Sequence, residues 1–228
     1  MAWNDWVRTV EVEPSLYAGD FAHLGDQIDE LMGGGVKIFH FDAGDGHFIE
    51  PITIGPIVLQ SISKQIHDAG GFVDCHLMTE RPEKHFEAFA AAGGDSVTVH
   101  LEACGDDLPA VVAQAREHGL EVGLAFNPES TPEAAAAAAD GVDLVLCMSI
   151  HPGYSGQAFM PEALDRIRTL RGLLPDGMPI QVDGGVGSDN VGALHEAGAT
   201  LLVAGTAIFG KEDLTRAYRR LVQALSGE

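Results

Sequence analysis

Eight short runs of apolar and β-branched residues recur along the chain: VEVEPSLYA near 10–18, VKIFHFD near 36–42, GFVDCHLM near 71–78, SVTVHLE near 96–102, EVGLAFN near 121–127, DLVLCMSI near 143–150, PIQVDGG near 179–185 and TLLVAGTAI near 200–208. Runs of this length, bounded by Gly and Pro, predict strands buried on both faces. Between them lie segments with apolar residues at helical spacing, among them FAHLGDQIDELMGGG, PEKHFEAFAAAGG, LPAVVAQAREHGL, TPEAAAAAADGV, PEALDRIRTLRGLL and SDNVGALHEAGA, most closed by Gly after the last turn. Strand alternating with helix predicts a parallel sheet. No G-x-G-x-x-G opens the first helix and the strand count closes at eight, so the expected fold is a single-domain (β/α)₈ TIM barrel over residues 1–228 rather than an open doubly wound sheet. The period of roughly 25 residues reflects barrel architecture, since the units share no repeat signature. The alanine run Ala134–Ala139 needs only its helix propensity as an explanation.

At 228 residues and 46% hydrophobic, the chain can bury one full core. Its formal charge of −21 works against nucleic acid and anionic lipid as partners. The densest basic stretches, RTLRG and RAYRR, read as solvated helix faces. A phosphate-bearing substrate would therefore have to be held by local backbone N–H groups. No apolar stretch approaches a membrane span, and MAWNDWVRTVEVEP lacks a basic region followed by an apolar segment, so a soluble, cytoplasmic protein is expected. Cys75, Cys104 and Cys147 are odd in number and form no CxxC pair, which fits a reducing compartment and argues against a thiolate metal site.

The candidate chemistry lies where the apolar runs end. His40 and Asp42 close the second run, His76 the third and Asp183 the seventh. In a barrel these are C-terminal strand ends, where active sites form. His40 and Asp42 are two apart, so both side chains leave one face of an extended strand. Each residue alone is commonly a satisfied buried polar group; four at one end of the barrel form a ligand set. Two imidazoles and two carboxylates suit Zn²⁺, Fe²⁺ or Mn²⁺ better than Ca²⁺ or Mg²⁺. Strands 2 and 7 lie nearly across the barrel, so Asp42 and Asp183 can face a bound substrate from opposite sides. One can take a proton from a carbon and the other return one, which is what cofactor-free epimerisation needs. A metal chelated by a ketose carbonyl and its neighbouring hydroxyl would hold the resulting enediolate.

Three small-residue loops, SIHPGYSGQ, VDGGV and VAGTAIF, follow strands 6, 7 and 8 and could cradle a phosphate, although glycines in such loops can also serve only tight turns. The four lysines, Lys37, Lys64, Lys84 and Lys211, avoid the C-terminal strand ends, which removes the nucleophile of a Schiff-base aldolase. No Asp-x-Lys-x-x-Asp pattern follows strand 3, against a decarboxylase of the orotidine-phosphate type. Met78 and Met148 read equally as core or as pocket walls. His100 reads as structural and His47 as a loop-ordering group, while Cys75 should point away from the site.

With these residues in view, the chain resembles the ribulose-phosphate 3-epimerases over nearly its whole length, through VEPSLYAGDF, HFDAGDGHF with ITIGP, VDCHLM, MSIHPGYSGQAF, VDGGV and VAGTAIF in order. The resemblance implies an isomerase of the pentose phosphate pathway that interconverts D-ribulose 5-phosphate and D-xylulose 5-phosphate with one divalent cation, Zn²⁺, Fe²⁺, Mn²⁺ or Co²⁺. It implies His40, Asp42, His76 and Asp183 as ligands, Asp42 as proton acceptor and Asp183 as donor. Ser15 and His76 resemble substrate contacts; Gly153, Tyr154, Ser155, Gly156, Gly184, Gly185, Gly205 and Thr206 resemble phosphate-side contacts. Family members are often homo-oligomers. The chain departs from the family at Gly44, where a methionine is usual, at Ile49–Pro51, and at His151, Tyr154 and Ser155 in the loop usually written NPGFGGQ. Loss of the methionine should enlarge or rewet one wall. The sugar therefore stays open to another ketose phosphate such as D-allulose 6-phosphate, and a silent sugar-phosphate-binding barrel is the alternative of another class.

Overall fold

In a computed structural model, which describes residues 10–226, eight parallel strands form one sheet: β1 (Glu11–Pro14), β2 (Ile38–Gly44), β3 (Phe72–Met78), β4 (Ser96–His100), β5 (Glu121–Phe126), β6 (Leu144–Met148), β7 (Ile180–Asp183) and β8 (Leu201–Ala204). The hydrogen-bonded order is β1-β8-β7-β6-β5-β4-β3-β2. Only an isolated parallel bridge between Ser15 and His40 joins the two ends, so the barrel is nearly closed with a seam between β1 and β2. Helices return the chain between strands: α1 (Leu24–Gly34), α2 (Pro56–Asp68), α3 (Phe86–Ala91), α4 (Leu101–Cys104), α5 (Leu108–Glu117), α6 (Pro132–Ala138), α7 (Ala163–Leu173), α8 (Val191–Ala197), α9 (Thr206–Phe209) and α10 (Leu214–Ser226). The strands and the barrel are those the sequence pattern predicts. Among the described residues no helix is long and apolar enough to cross a membrane.

Three runs end earlier than their apolar character suggests. β1 ends at Pro14, with the Ser15 N–H still donating to the Ala204 carbonyl (3.0 Å), and a 3₁₀ turn follows over Leu16–Ala18. β4 gives way to α4 at Leu101. After β8, Gly205 turns the chain into α9 in a crowded spot: a Cβ there would sit 3.2 Å from Ala18 Cβ and 3.3 Å from Ser155 Oγ. α2 is not among the helical segments named from sequence; Pro56 at its first turn and the buried Leu59, Ile62 and Ile66 along one face account for it.

Strand alternation builds two cores. Outward residues such as Phe39, Phe41, Val73, Cys75, Val97, Val99, Leu124, Cys147 and Val182 pack under the helices. Inward residues split. Ile38, Ala125, Leu144, Leu146, Met148, Ile150 and Leu201 fill one part of the lumen with Phe72. The part beside the seam is polar: Glu13, His40, Asp74, Ser96, Thr98 and Gln181 are all at most 1% exposed. The arginines of the basic stretches are solvated as expected except Arg171, which donates to the carbonyls of Met178 (2.6 Å) and Pro175 (2.5 Å), securing the end of α7.

Candidate metal centre and active site

His40 and Asp42 on β2, His76 on β3 and Asp183 at the end of β7 converge so that one ligand atom from each lies within 4.8 Å of the others. Asp42 Oδ1 is 3.2 Å from both His40 Nε2 and His76 Nδ1, and His76 Nδ1 is 3.9 Å from Asp183 Oδ2. These residues fit a cation. His40 Nε2 is buried with no hydrogen-bond partner, facing a carboxylate oxygen across a gap, and an unsatisfied ring nitrogen there is costly unless something occupies the gap. The second nitrogen of His40 faces Asp74 Oδ2 at 3.2 Å, which fixes the ring. Asp74 is held in turn by Ser96 Oγ (2.7 Å), Thr98 Oγ1 (3.2 Å) and Gln181 Nε2 (2.8 Å). Gln181 also donates to Glu13 (2.5 Å).

The two carboxylates of the site are placed in different electrostatic surroundings. Burial opposes ionisation of Asp42, yet His40 and then His76 outweigh it and hold the carboxyl well below the usual range. Ser15 Oγ adds a 2.6 Å hydrogen bond to its Oδ2. For Asp183, burial and then the charge of Asp42 push the carboxyl up to about 7. Without a cation the two carboxyls are thus shifted in opposite directions. Deeper in the barrel, burial and Asp74 push Glu13 up to about 8.

Above these groups opens a cavity at the mouth of the barrel. Its walls include Asp42, Asp183, Ser15, Gly153, Tyr154, Ser155, Gly156, Gly184, Gly185, Gly205 and Thr206. His76 is not on this wall; it is fully buried beneath it. Met78 and Met148 both line the cavity, and Met148 also belongs to the core that fills the lumen. Among the described residues no lysine or arginine lines it, so an anion there would meet hydroxyls and backbone N–H groups. The β7 loop requires its glycines: Gly184 and Gly185 have φ of 122° and 63°, and a Cβ on Gly185 would sit 2.6 Å from the Phe159 backbone nitrogen.

The sequence matches the Ribulose-phosphate 3 epimerase family model over residues 11–209. The ribulose-phosphate 3-epimerase of Bacillus subtilis (strain 168) is 37% identical over 216 residues, 93% of this chain and 98% of that one. The chain belongs to the ribulose-phosphate 3-epimerase family. Its Escherichia coli (strain K12) relative of the same name is 34% identical over 220 residues, 95% of each chain. Among solved structures, 3-hexulose-6-phosphate synthase from Salmonella typhimurium shares the fold with a TM-score of 0.74 at 18% identity, covering 95% of this chain and 99% of that one. Membership makes this chain an epimerase.

The epimerase site contains residues that its sequence pattern did not single out. Tyr17 lines the cavity from the turn after Ser15. The fully buried Ser149 donates from Oγ to the Gly184 carbonyl (2.7 Å), with the Asp183 carbonyl 2.9 Å away, pinning the backbone that presents Asp183. Ser149→Ala should leave the Gly184 carbonyl without that donor and cost about 1–3 kcal/mol of stability; a denaturant midpoint unchanged from the parent would refute this. Loop order after β2 comes from Asp45 rather than His47: Asp45 accepts from the N–H groups of His47 (2.8 Å), Phe48 (2.9 Å) and Glu80 (2.9 Å). The expected opening of the wall at Gly44 does not occur. Ile49, 4% exposed, packs directly over Gly44, where any Cβ would clash with it, and so fills the space a larger side chain would need. Cys75 points outward, as expected, with Asp74 and His76 turned inward on either side.

Proposed function

We propose that this epimerase interconverts D-ribulose 5-phosphate and D-xylulose 5-phosphate by proton transfer at C3 between Asp42 and Asp183, with one divalent cation held by His40, Asp42, His76 and Asp183. The observation that carries this reading is the convergence of His40, Asp42, His76 and Asp183, with both carboxylates on the wall of one cavity. Asp42, ionised and hydrogen-bonded to Ser15, is the base that removes the C3 proton. Asp183, which holds its proton more readily, returns one to the opposite face; in the reverse direction the roles exchange. When bound, the cation supplies a positive charge next to the developing substrate oxyanion. The ligand set accepts Zn²⁺, Fe²⁺, Mn²⁺ or Co²⁺.

The phosphate is proposed to lie against Gly153–Gly156, Gly184, Gly185, Gly205 and Thr206. Tyr154 and Ser155 bring hydroxyls to that end, and the uncharged lining leaves backbone N–H groups as its main donors. Packing of Ile49 over Gly44 favours a pentulose over a longer ketose phosphate, because the wall is filled rather than opened. The protein is proposed to work in the cytoplasm on this small molecule alone, with neither nucleic acid nor membrane as partner, and as a homo-oligomer.

Solvent deuterium uptake at C3 tests the assignment, with D-ribulose 5-phosphate and D-allulose 6-phosphate compared as substrates. The expected result is metal-dependent uptake with kcat/KM at least about tenfold higher for the pentulose, in the range that a one-carbon difference supports. Preference for the hexulose would move the substrate, and no uptake with either would leave a silent binding barrel.

A further inference from the structure

His76 has one ring nitrogen to offer a cation, and the geometry says which. Nδ1 faces Asp42 Oδ1 at 3.2 Å and Asp183 Oδ2 at 3.9 Å. Nε2 points the other way, to Nε2 of His100 at 2.7 Å. Both rings are fully buried, with centroids 4.9 Å apart and planes tilted by 21°. Two ring nitrogens at that separation share one proton: two lone pairs would repel, and two N–H groups would collide. With the Nδ1 lone pair of His76 given to a cation, the shared proton sits on His76 Nε2 and His100 Nε2 accepts it. A neutral His100 then carries its own proton on Nδ1, a buried nitrogen that makes no hydrogen bond in this structure and has the Glu102 carboxylate beside it, with Oε2 at 3.4 Å.

The far end of this chain is anchored. Glu102 Oε1 accepts from Asn127 N–H (2.8 Å) and Ser130 Oγ (2.5 Å), so its carboxylate is held from the β5–α6 loop. The Phe48 ring, 4.7 Å from the His100 ring, packs against it as well. His40 is held differently, through the carboxylate of Asp74.

We propose that His100, backed by Glu102, is a positioning residue that fixes the tautomer and ring plane of His76 and thereby strengthens cation binding. This inference rests on the reading that His40, Asp42, His76 and Asp183 hold a cation. Accepting through a neutral imidazole, His100 leaves His76 a neutral ligand with its Nδ1 lone pair free for the cation.

The direct test is ¹⁵N NMR of the histidine rings in the wild-type protein with Zn²⁺, which needs no substitution. The expected result is His76 as the Nε2–H tautomer and His100 as the Nδ1–H tautomer; the reverse at either ring overturns the proposal. The second test measures Zn²⁺ affinity by competition with a chelator. His100→Leu, which removes the acceptor, should weaken binding about 10–100-fold. His100→Gln, which can present an oxygen near the same place, should recover most of that loss. If wild-type protein binds Zn²⁺ stoichiometrically and His100→Leu binds it equally well, this proposal fails alone. If wild-type protein binds no Zn²⁺, the metal reading itself fails and takes the proposal with it.

Discussion

Asp183→Asn is expected to abolish epimerisation. The amide keeps the shape of the side chain but cannot give a proton to the carbon or take one from it, and removal of a general acid costs about 10²–10⁴-fold. The variant should separate the two half-reactions. Asp42 keeps its ionised carboxylate and its Ser15 hydrogen bond, so it can still remove the C3 proton and return solvent deuterium to the same face. Labelled substrate without epimeric product is therefore the expected signature, read by NMR of the sugar. Product formation within tenfold of the parent would sink the two-carboxylate mechanism. The metal-free protein offers a second readout. The folded pKa of Asp183, about 7, lies above its ordinary value of 3.8, so between those pH values the folded state keeps a proton that the unfolded chain has lost. That contribution makes stability fall as pH rises through the window, and Asp183→Asn should remove it from a series of denaturation midpoints.

Removing the cation is expected to silence the enzyme and lower its stability together. With metal at a thousand times its dissociation constant, loss of binding costs about 4 kcal/mol, which a thermal melt with and without chelator would show. His40→Ala should mimic chelation, since it removes the one ligand nitrogen that has no other partner. Binding should also depend on pH in a defined direction. Although burial opposes a charge on His40, Asp42 outweighs it and raises the imidazole pKa, so in the metal-free site a proton takes the place of the cation. Metal entry must expel it, and binding should weaken as pH falls. Calorimetry in buffers of different ionisation enthalpy would count the released protons, and an enthalpy independent of buffer would contradict the competition.

The eight strands were legible because burial on both faces leaves continuous apolar runs, and the convergence of His40, Asp42, His76 and Asp183 because polar residues interrupt those runs. What could not be read depends on contacts across the barrel. Glu13 and Gln181 are 168 residues apart in sequence and hydrogen-bonded at 2.5 Å. Their only local trace is a polar residue at every second position of β1–β4, which fits a solvated face as well as a polar lumen. Ser149 looked like loop punctuation because its partners belong to β7. His100 looked structural because one sequence cannot show that its ring meets that of His76. Gly44 gave the opposite impression to its true setting, since the residue that covers it, Ile49, arrives from the loop that follows.

The seam between β1 and β2 bears on how the protein is made. These strands are near neighbours in sequence, yet β1 takes its ladder partner from β8, at the far end of the chain. Asp183 likewise arrives on β7, after His40, Asp42 and His76 have been synthesised. A growing polypeptide therefore carries an incomplete ligand set for most of its synthesis and gains its acid only when the ring of strands is almost complete. With the proposed ligand set, ion capture would wait on barrel closure, and a truncated or misassembled chain would lack the Asp183 carboxylate that completes the cluster.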